Sequence, residues 1–227
     1  MPDLVIPAPR APHIPTRDGR AFPLRRVYCI GRNFAAHAVE MGHDPDREPP
    51  FFFQKNPDNL DASGQFPYPA QSRDVHHEVE LLIALKSGGR NIDPAKALDH
   101  VWGYGIALDM TRRDLQGEAK KLGRPWEIGK AFEGSGPVGP LWPVAEVGHL
   151  TAGQIALRVN GALRQDGDLN QMIWKVPEII AYLSRYFELQ AGDVIMAGTP
   201  AGVAAVAIGD VMEASIAGLG RLVVTVV

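Results

Sequence analysis

The sequence predicts a β-rich α+β fold, and three observations carry that expectation. The chain holds 24 glycines and 19 prolines among 227 residues, enough to break it into many turns. Apolar runs of strand length recur between clusters of Gly, Pro, Asn and Asp. Helical spacing is confined to three segments, residues 34–41, 111–122 and 176–187.

Residues 1–24 are spaced by proline and are expected to form an extended lead-in lying on the surface. Residues 26–30 read as a short strand closed by the turn Gly31-Arg32-Asn33. The helical segment 34–41 runs into a polar, Pro-rich stretch, and residues 37–50 together are a candidate lid. Strands are expected at 51–54, at 77–85 and at 101–109, where Gly103 and Gly105 would admit another backbone closely. Asp109 or Thr111 can cap the helix through Leu122, and Gly123 stops it. Asn160-Gly161 is a hairpin signal between strands at 155–160 and 162–165. The helix 176–187 has Pro177 in its first turn. Strands at 193–197, 211–216 and 221–227 alternate with Gly-rich turns. No repeat or linker interrupts the chain, so one domain over 1–227 is expected.

A hydrophobic fraction of 45% supports a large core. A net charge of -3 gives no basic footprint for nucleic acid. No apolar run is long enough to span a membrane, and the N-terminus lacks the pattern of a signal peptide. The one cysteine, Cys29, excludes an internal disulfide and fits a reducing cytoplasm. Its run Val27-Tyr28-Cys29-Ile30 makes it a core residue rather than a nucleophile.

The run Val75-His76-His77-Glu78-Val79-Glu80-Leu81 carries the chemistry. In a strand, Glu78 and Glu80 share a face. Two such acids can be solvated on a sheet face. At the mouth of the buried run Leu81-Leu82-Ile83 they instead call for a positive partner. With Asp109 they make an oxygen donor set for Mg²⁺ or Mn²⁺. His76 and His77 are adjacent, so both cannot easily reach one ion, which argues against an iron facial triad. His37 and Glu40 are three apart on one helical face, either an exposed pair or an imidazole oriented as a general base. Lys130, expected outside regular structure, is a surface lysine or a buried oxyanion partner. Gly198-Thr199-Pro200-Ala201-Gly202 lacks the pattern of a phosphate loop and suits a turn offering N–H groups to a carboxylate.

These residues, in this order, resemble the fumarylacetoacetate hydrolase family. The likeness is carried by Gly31-Arg32-Asn33-Phe34-Ala35-Ala36-His37, His77-Glu78-Val79-Glu80-Leu81, Leu108-Asp109-Met110-Thr111-Arg112-Arg113-Asp114, Gly123-Arg124-Pro125-Trp126 through Lys130, and Gly192-Asp193-Val194-Ile195 through Thr199. Runs 41–55 and 168–175 bring it nearest to the bacterial fumarylpyruvate hydrolases of gentisate breakdown. The resemblance implies a mixed β-sandwich roll, a homodimer, and a small diketo-acid substrate. It implies Mg²⁺ or Mn²⁺ on Glu78, Glu80 and Asp109, with His37, Glu40 and Lys130 as catalytic groups. It places Arg32, Arg113, Gln116 and Thr199 against substrate. The reaction so implied is hydrolysis of 3-fumarylpyruvate to fumarate and pyruvate. Acylpyruvate hydrolysis and oxaloacetate decarboxylation, which share a pyruvate enolate, are the alternatives. Where many relatives have glycine after Val203, this chain has Ala204, which is expected to alter a turn near the site.

Overall fold

The apolar runs fold into two mixed sheets that share a core. The computed structural model describes residues 4–34 and 49–227. In chain order its strands are β1 (His13–Pro15), β2 (Ala21–Pro23), β3 (Arg26–Gly31), β4 (Phe51–Lys55), β5 (Leu60–Asp61), β6 (Gln65–Phe66), β7 (Val75–His77), β8 (Val79–Leu85) and β9 (Val101–Leu108). They continue as β10 (Thr111–Arg112), β11 (Gly136–Pro137), β12 (Trp142–Pro143), β13 (Gln154–Val159), β14 (Ala162–Asp168), β15 (Asp193–Met196), β16 (Ala204–Ala205), β17 (Val211–Ile216) and β18 (Gly220–Val226). The α-helices among the described residues are α1 (Arg113–Lys121), α2 (Glu127–Lys130), α3 (Val144–Val147) and α4 (Val176–Tyr186).

One sheet has the order β12-β9-β8-β15-β3-β4, with β15 and β3 parallel. The other runs β14-β13-β17-β18-β6, with β18 and β6 parallel. Val79, Leu81, Ile83 and Leu85 of β8 meet Ile155 and Leu157 of β13, Met212 of β17 and Val224 of β18 in the main core. α4 adds Val176, Ile179, Ile180 and Leu183, the stripe its helical period predicts. The other face of β8 carries Leu82 and Ala84, packed with Val27, Cys29, Ala107, Val194 and Met196. Every residue of β8 is therefore buried, which is why this strand reads as a continuous apolar run. Cys29 is a core residue, and burial pushes its thiol well above the usual range.

Four sequence expectations change. The lead-in is not confined to the surface: β1 and β2 pair, and Ile14, Phe22 and Leu24 close the second core cluster. The strand expected over 77–85 is two strands. β7 belongs to a small sheet with β10 and β16, β8 joins the six-stranded sheet, and Glu78 sits at the switch between them. The helix expected from residue 111 begins at Arg113, because Thr111 and Arg112 pair with β7, and no side chain caps its N-terminus. Ala204 lies in β16 opposite His77 rather than in a turn. The Asn160-Gly161 hairpin is present, with φ of 51° and 79° as a type I′ turn requires. Residues 35–48, and with them most of the expected helix and lid, lie outside the described residues.

β3, β9 and β15 all end where β8 begins. Asn33, fully buried just after β3, ties this end together. Its Nδ2 donates to the carbonyls of Ala197 at 2.7 Å and Trp174 at 3.0 Å, and its Oδ1 accepts from Trp174 N at 2.7 Å. Asn33→Ala strands those groups and should lower stability by about 2–4 kcal/mol in urea unfolding. A loss within error would show that Asn33 is not the tie.

Candidate active site

Alternation along β8 puts Glu80 on the same face as Leu82 and Ala84. Its opposite residue on β9 is Ala107, and Asp109 follows two residues later. Asp109 N donates to Glu78 O at 2.8 Å, which carries the ladder one step beyond the strands. Glu78, Glu80 and Asp109 are all buried, and one oxygen from each lies within 4.8 Å of the others. The two glutamates thus converge as expected, although a sheet switch rather than one strand brings them together.

Three cations answer two of the three acids. Lys130 Nζ donates to Glu78 Oε2 at 2.8 Å and to Asp109 Oδ2 at 2.7 Å. Arg113 Nη2 pairs with Glu78 Oε1. Lys55 Nζ lies 2.9 Å from Asp109 Oδ1. Glu80 has no such partner in ion-pair range among the described residues. It accepts a hydrogen bond from Gly198 N at 2.8 Å. That turn offers its N–H to a carboxylate as the sequence suggested, but the carboxylate is the chain's own. Gly198 is required there: its φ is 96°, and a Cβ would fall 2.7 Å from Asn33 Cβ.

Burial, then the neighbouring Asp109 and Glu78, push the Glu80 carboxyl well above its usual range. Burial opposes the charge on Lys130, but Asp109 and Glu78 outweigh it and raise the ammonium pKa. Lys130 therefore stays protonated at neutral pH and acts as a donor. The donor set is all oxygen and close-set, and among the described residues it leaves Glu80 without a cation. These residues fit a hard divalent cation.

The carboxylates open into a cavity of about 440 Å³, counting its mouth. Its walls include Arg32, Phe53, Gln116, Lys120, Trp126 and Thr199. All four residues expected against substrate line it, but Arg113 is already committed to Glu78 and to Gln116 Oε1, the latter at 2.8 Å. Arg32 adopts a φ of 60°, an unusual conformation for a non-glycine residue beside a site. Lys130 is buried in α2, not outside regular structure, because a single helical turn packs it back against β4 and β10. His37 and Glu40 lie outside the described residues.

Neither adjacent histidine belongs to the carboxylate cluster. His76 pairs with Asp74 at 2.8 Å. Burial lowers the pKa of His77, whose Nδ1 bonds Gln165 Oε1 at 2.9 Å, and Gln165 Nε2 donates to Thr199 Oγ1 at 2.8 Å. His77 thus holds a cavity residue through Gln165. Sequence reasoning missed Gln165 and Lys55. Gln165 carried no signal, but Lys55, a lysine ending the apolar strand Phe51-Phe52-Phe53-Gln54, did. His149 Nδ1 lies 3.0 Å from the hydroxyl of buried Tyr104.

A β-rich fold with this buried Glu-Glu-Asp centre matches a known family. Residues 26–227 match the fumarylacetoacetate hydrolase C-terminal domain, and the chain belongs to the fumarylacetoacetate hydrolase family. It is similar to a crystal structure of fumarylpyruvate hydrolase from Pseudomonas aeruginosa in complex with Mn²⁺ and pyruvate. That match has 50% identity and a TM-score of 0.96, and it covers 99% of each chain. It is also 41% identical to the mitochondrial oxaloacetate decarboxylase of Dictyostelium discoideum, over 86% of this chain and 90% of that one. The human mitochondrial oxaloacetate tautomerase FAHD1 is 39% identical, over 86% of this chain and 88% of its own. Among the described residues no helix is long and apolar enough to cross a membrane.

The raised Glu80 pKa has a sign. The folded, metal-free protein keeps a proton that the unfolded chain gives up near the ordinary value of 4.5. Its contribution to metal-free stability is present below that pH and lost as pH rises toward the folded pKa. Mn²⁺ competes with that proton, so at any pH where Glu80 still holds it the calorimetric heat should vary with the ionisation enthalpy of the buffer. A heat independent of buffer would mean that Glu80 is ionised before the metal arrives.

Proposed function

We propose that this chain is a divalent-metal-dependent hydrolase that cleaves 3-fumarylpyruvate to fumarate and pyruvate. The observation that carries this reading is the buried Glu78-Glu80-Asp109 centre with protonated Lys130 between two of its acids, in a chain half identical to a fumarylpyruvate hydrolase holding Mn²⁺ and pyruvate. A bound Mg²⁺ or Mn²⁺ supplies Lewis-acid stabilisation of the pyruvyl end.

The rest of the chemistry falls to side chains. His37, oriented by Glu40, takes a proton from water, and the hydroxide formed adds to the carbonyl on the fumaryl side. The carbon–carbon bond then breaks, and its electron pair leaves with the pyruvyl fragment as an enolate. Lys130, cationic at neutral pH, faces the negative charge that develops there. Arg32, Gln116 and Thr199 hold the substrate's polar ends from the cavity wall, and Arg113 steadies Glu78. Protonation of the enolate completes pyruvate. We place the enzyme in the cytoplasm as a single catalytic domain that pairs into a homodimer and serves gentisate breakdown.

A second reading is favoured by the relatives at about 40% identity, which act on oxaloacetate. The same centre would stabilise the enolate formed by decarboxylating or tautomerising that acid.

Purified protein should consume 3-fumarylpyruvate in the presence of Mn²⁺, with equimolar fumarate and pyruvate appearing and a chelator stopping the reaction. Glu80→Gln should weaken metal binding and abolish turnover. His37→Ala should bind metal normally and lose about 10²–10⁴-fold in kcat. Turnover of oxaloacetate without fumarylpyruvate cleavage would transfer the function to the second reading. Full activity in His37→Ala would remove the base assignment.

A further inference from the structure

Lys55 is the least expected group near the carboxylates. Its side chain is completely buried, so it cannot reach substrate or solvent. One of its polar contacts reaches the carboxylate cluster directly, and two reach the segment from Lys130 to Ser135. Its Nζ lies 2.9 Å from Asp109 Oδ1, donates to the Lys130 carbonyl oxygen, and lies 3.0 Å from Ser135 Oγ. Ser135 Oγ in turn donates to that same Lys130 carbonyl at 3.1 Å.

A buried lysine is costly unless its charge is matched, so the position must answer to a specific need. β4 delivers it: Lys55 stands opposite Val27 in the ladder, on the face that also carries Cys29 and Met196. From there its charge stands 2.9 Å from one oxygen of Asp109, an ion pair without an aligned hydrogen bond, while the other oxygen accepts from Lys130 Nζ at 2.7 Å.

We propose that Lys55 is a positioning residue that reserves Asp109 Oδ1, so that Asp109 can offer the metal a single oxygen. A carboxylate left free can bind through both oxygens and fill two coordination positions. With one oxygen withheld, and one from each glutamate, a six-coordinate cation keeps three positions for water or for a chelating keto acid. The bond from Lys55 to the Lys130 carbonyl does a second job, fixing the end of α2 that carries the catalytic ammonium.

This inference rests on the reading of Glu78, Glu80 and Asp109 as a metal centre. The test separates the two by counting waters on bound Mn²⁺ through oxygen-17 relaxation, without turnover. The parent protein should hold three. Lys55→Met should still bind Mn²⁺ and hold two, because Asp109 is released to bind through both oxygens. Its metal-free form should melt lower than the parent's, and Mn²⁺ should raise its melting temperature more, since the cation replaces the missing charge. KM for 3-fumarylpyruvate should rise by about 10–100-fold. Lys55→Gln, which keeps an N–H donor, should retain three waters.

A parent count of two overturns the proposal without any variant, which covers the case in which Lys55→Met does not fold. A count of three in both the parent and Lys55→Met overturns it as well and leaves Lys55 a structural residue. Failure of the parent to bind Mn²⁺ would instead sink the metal-centre reading itself.

Discussion

Three carboxylates cannot be buried with oxygens within 4.8 Å of each other unless their charge is answered nearby. Lys130, Arg113 and Lys55 answer Glu78 and Asp109, and Glu80 is left with the Gly198 N–H. Much of the surrounding architecture delivers these groups. β8 and β9 bring the acids and β4 brings Lys55, while α1 and α2 begin and end so that Arg113 and Lys130 face inward. The short sheet of β7, β10 and β16 sets the switch point from which Glu78 projects. Such a cluster is a poor source of stability, because well-packed apolar residues would cost less. The burial makes chemical sense if the centre exists to hold a cation and to stabilise negative charge.

How much of this was legible in the sequence depended on how local each signal was. The acid pair was legible because strand parity involves only three consecutive residues. The split between β7 and β8 was not, since both halves look extended and only their distant partners, β10 and β16 against β9 and β15, distinguish them. The lead-in hid its core role because β1 and β2 have three residues each, too few for alternation to show. Lys130 escaped assignment to a helix because one turn is below the length at which periodicity speaks. Lys55 carried a local clue, a charge closing an aromatic strand, but its meaning lies in Asp109, which is remote in sequence. Hairpin, glycine stop and proline start were read correctly because turn chemistry is intrinsically short range.

Of the relatives named above, one is a fumarylpyruvate hydrolase and two carry oxaloacetate in their names. Both chemistries place negative charge on a pyruvyl fragment, so one centre serves either and says little about which. The wall differs from the centre in kind: the side chains of Phe53 and Trp126 and the cations Arg32 and Lys120 border the cavity. Lys120 stands 4.7 Å from the Trp126 ring centre, an arrangement that keeps a positive group at the mouth.

The parallel pairing of β3 with β15 sets the order in which this protein can come into being. Val27 lies against Val194 in that ladder, so most of the chain must be made before the pair can form. Closing so long a loop is entropically slow, and strands awaiting such a partner present unpaired edges. The three carboxylates lie at the adjacent β8–β9 pair, but the N–H that holds Glu80 comes from the turn after β15, so the centre is completed late. Metal loading is accordingly a sign of completed folding rather than its seed. A polypeptide released early would offer a cation the three acids without the turn that holds Glu80.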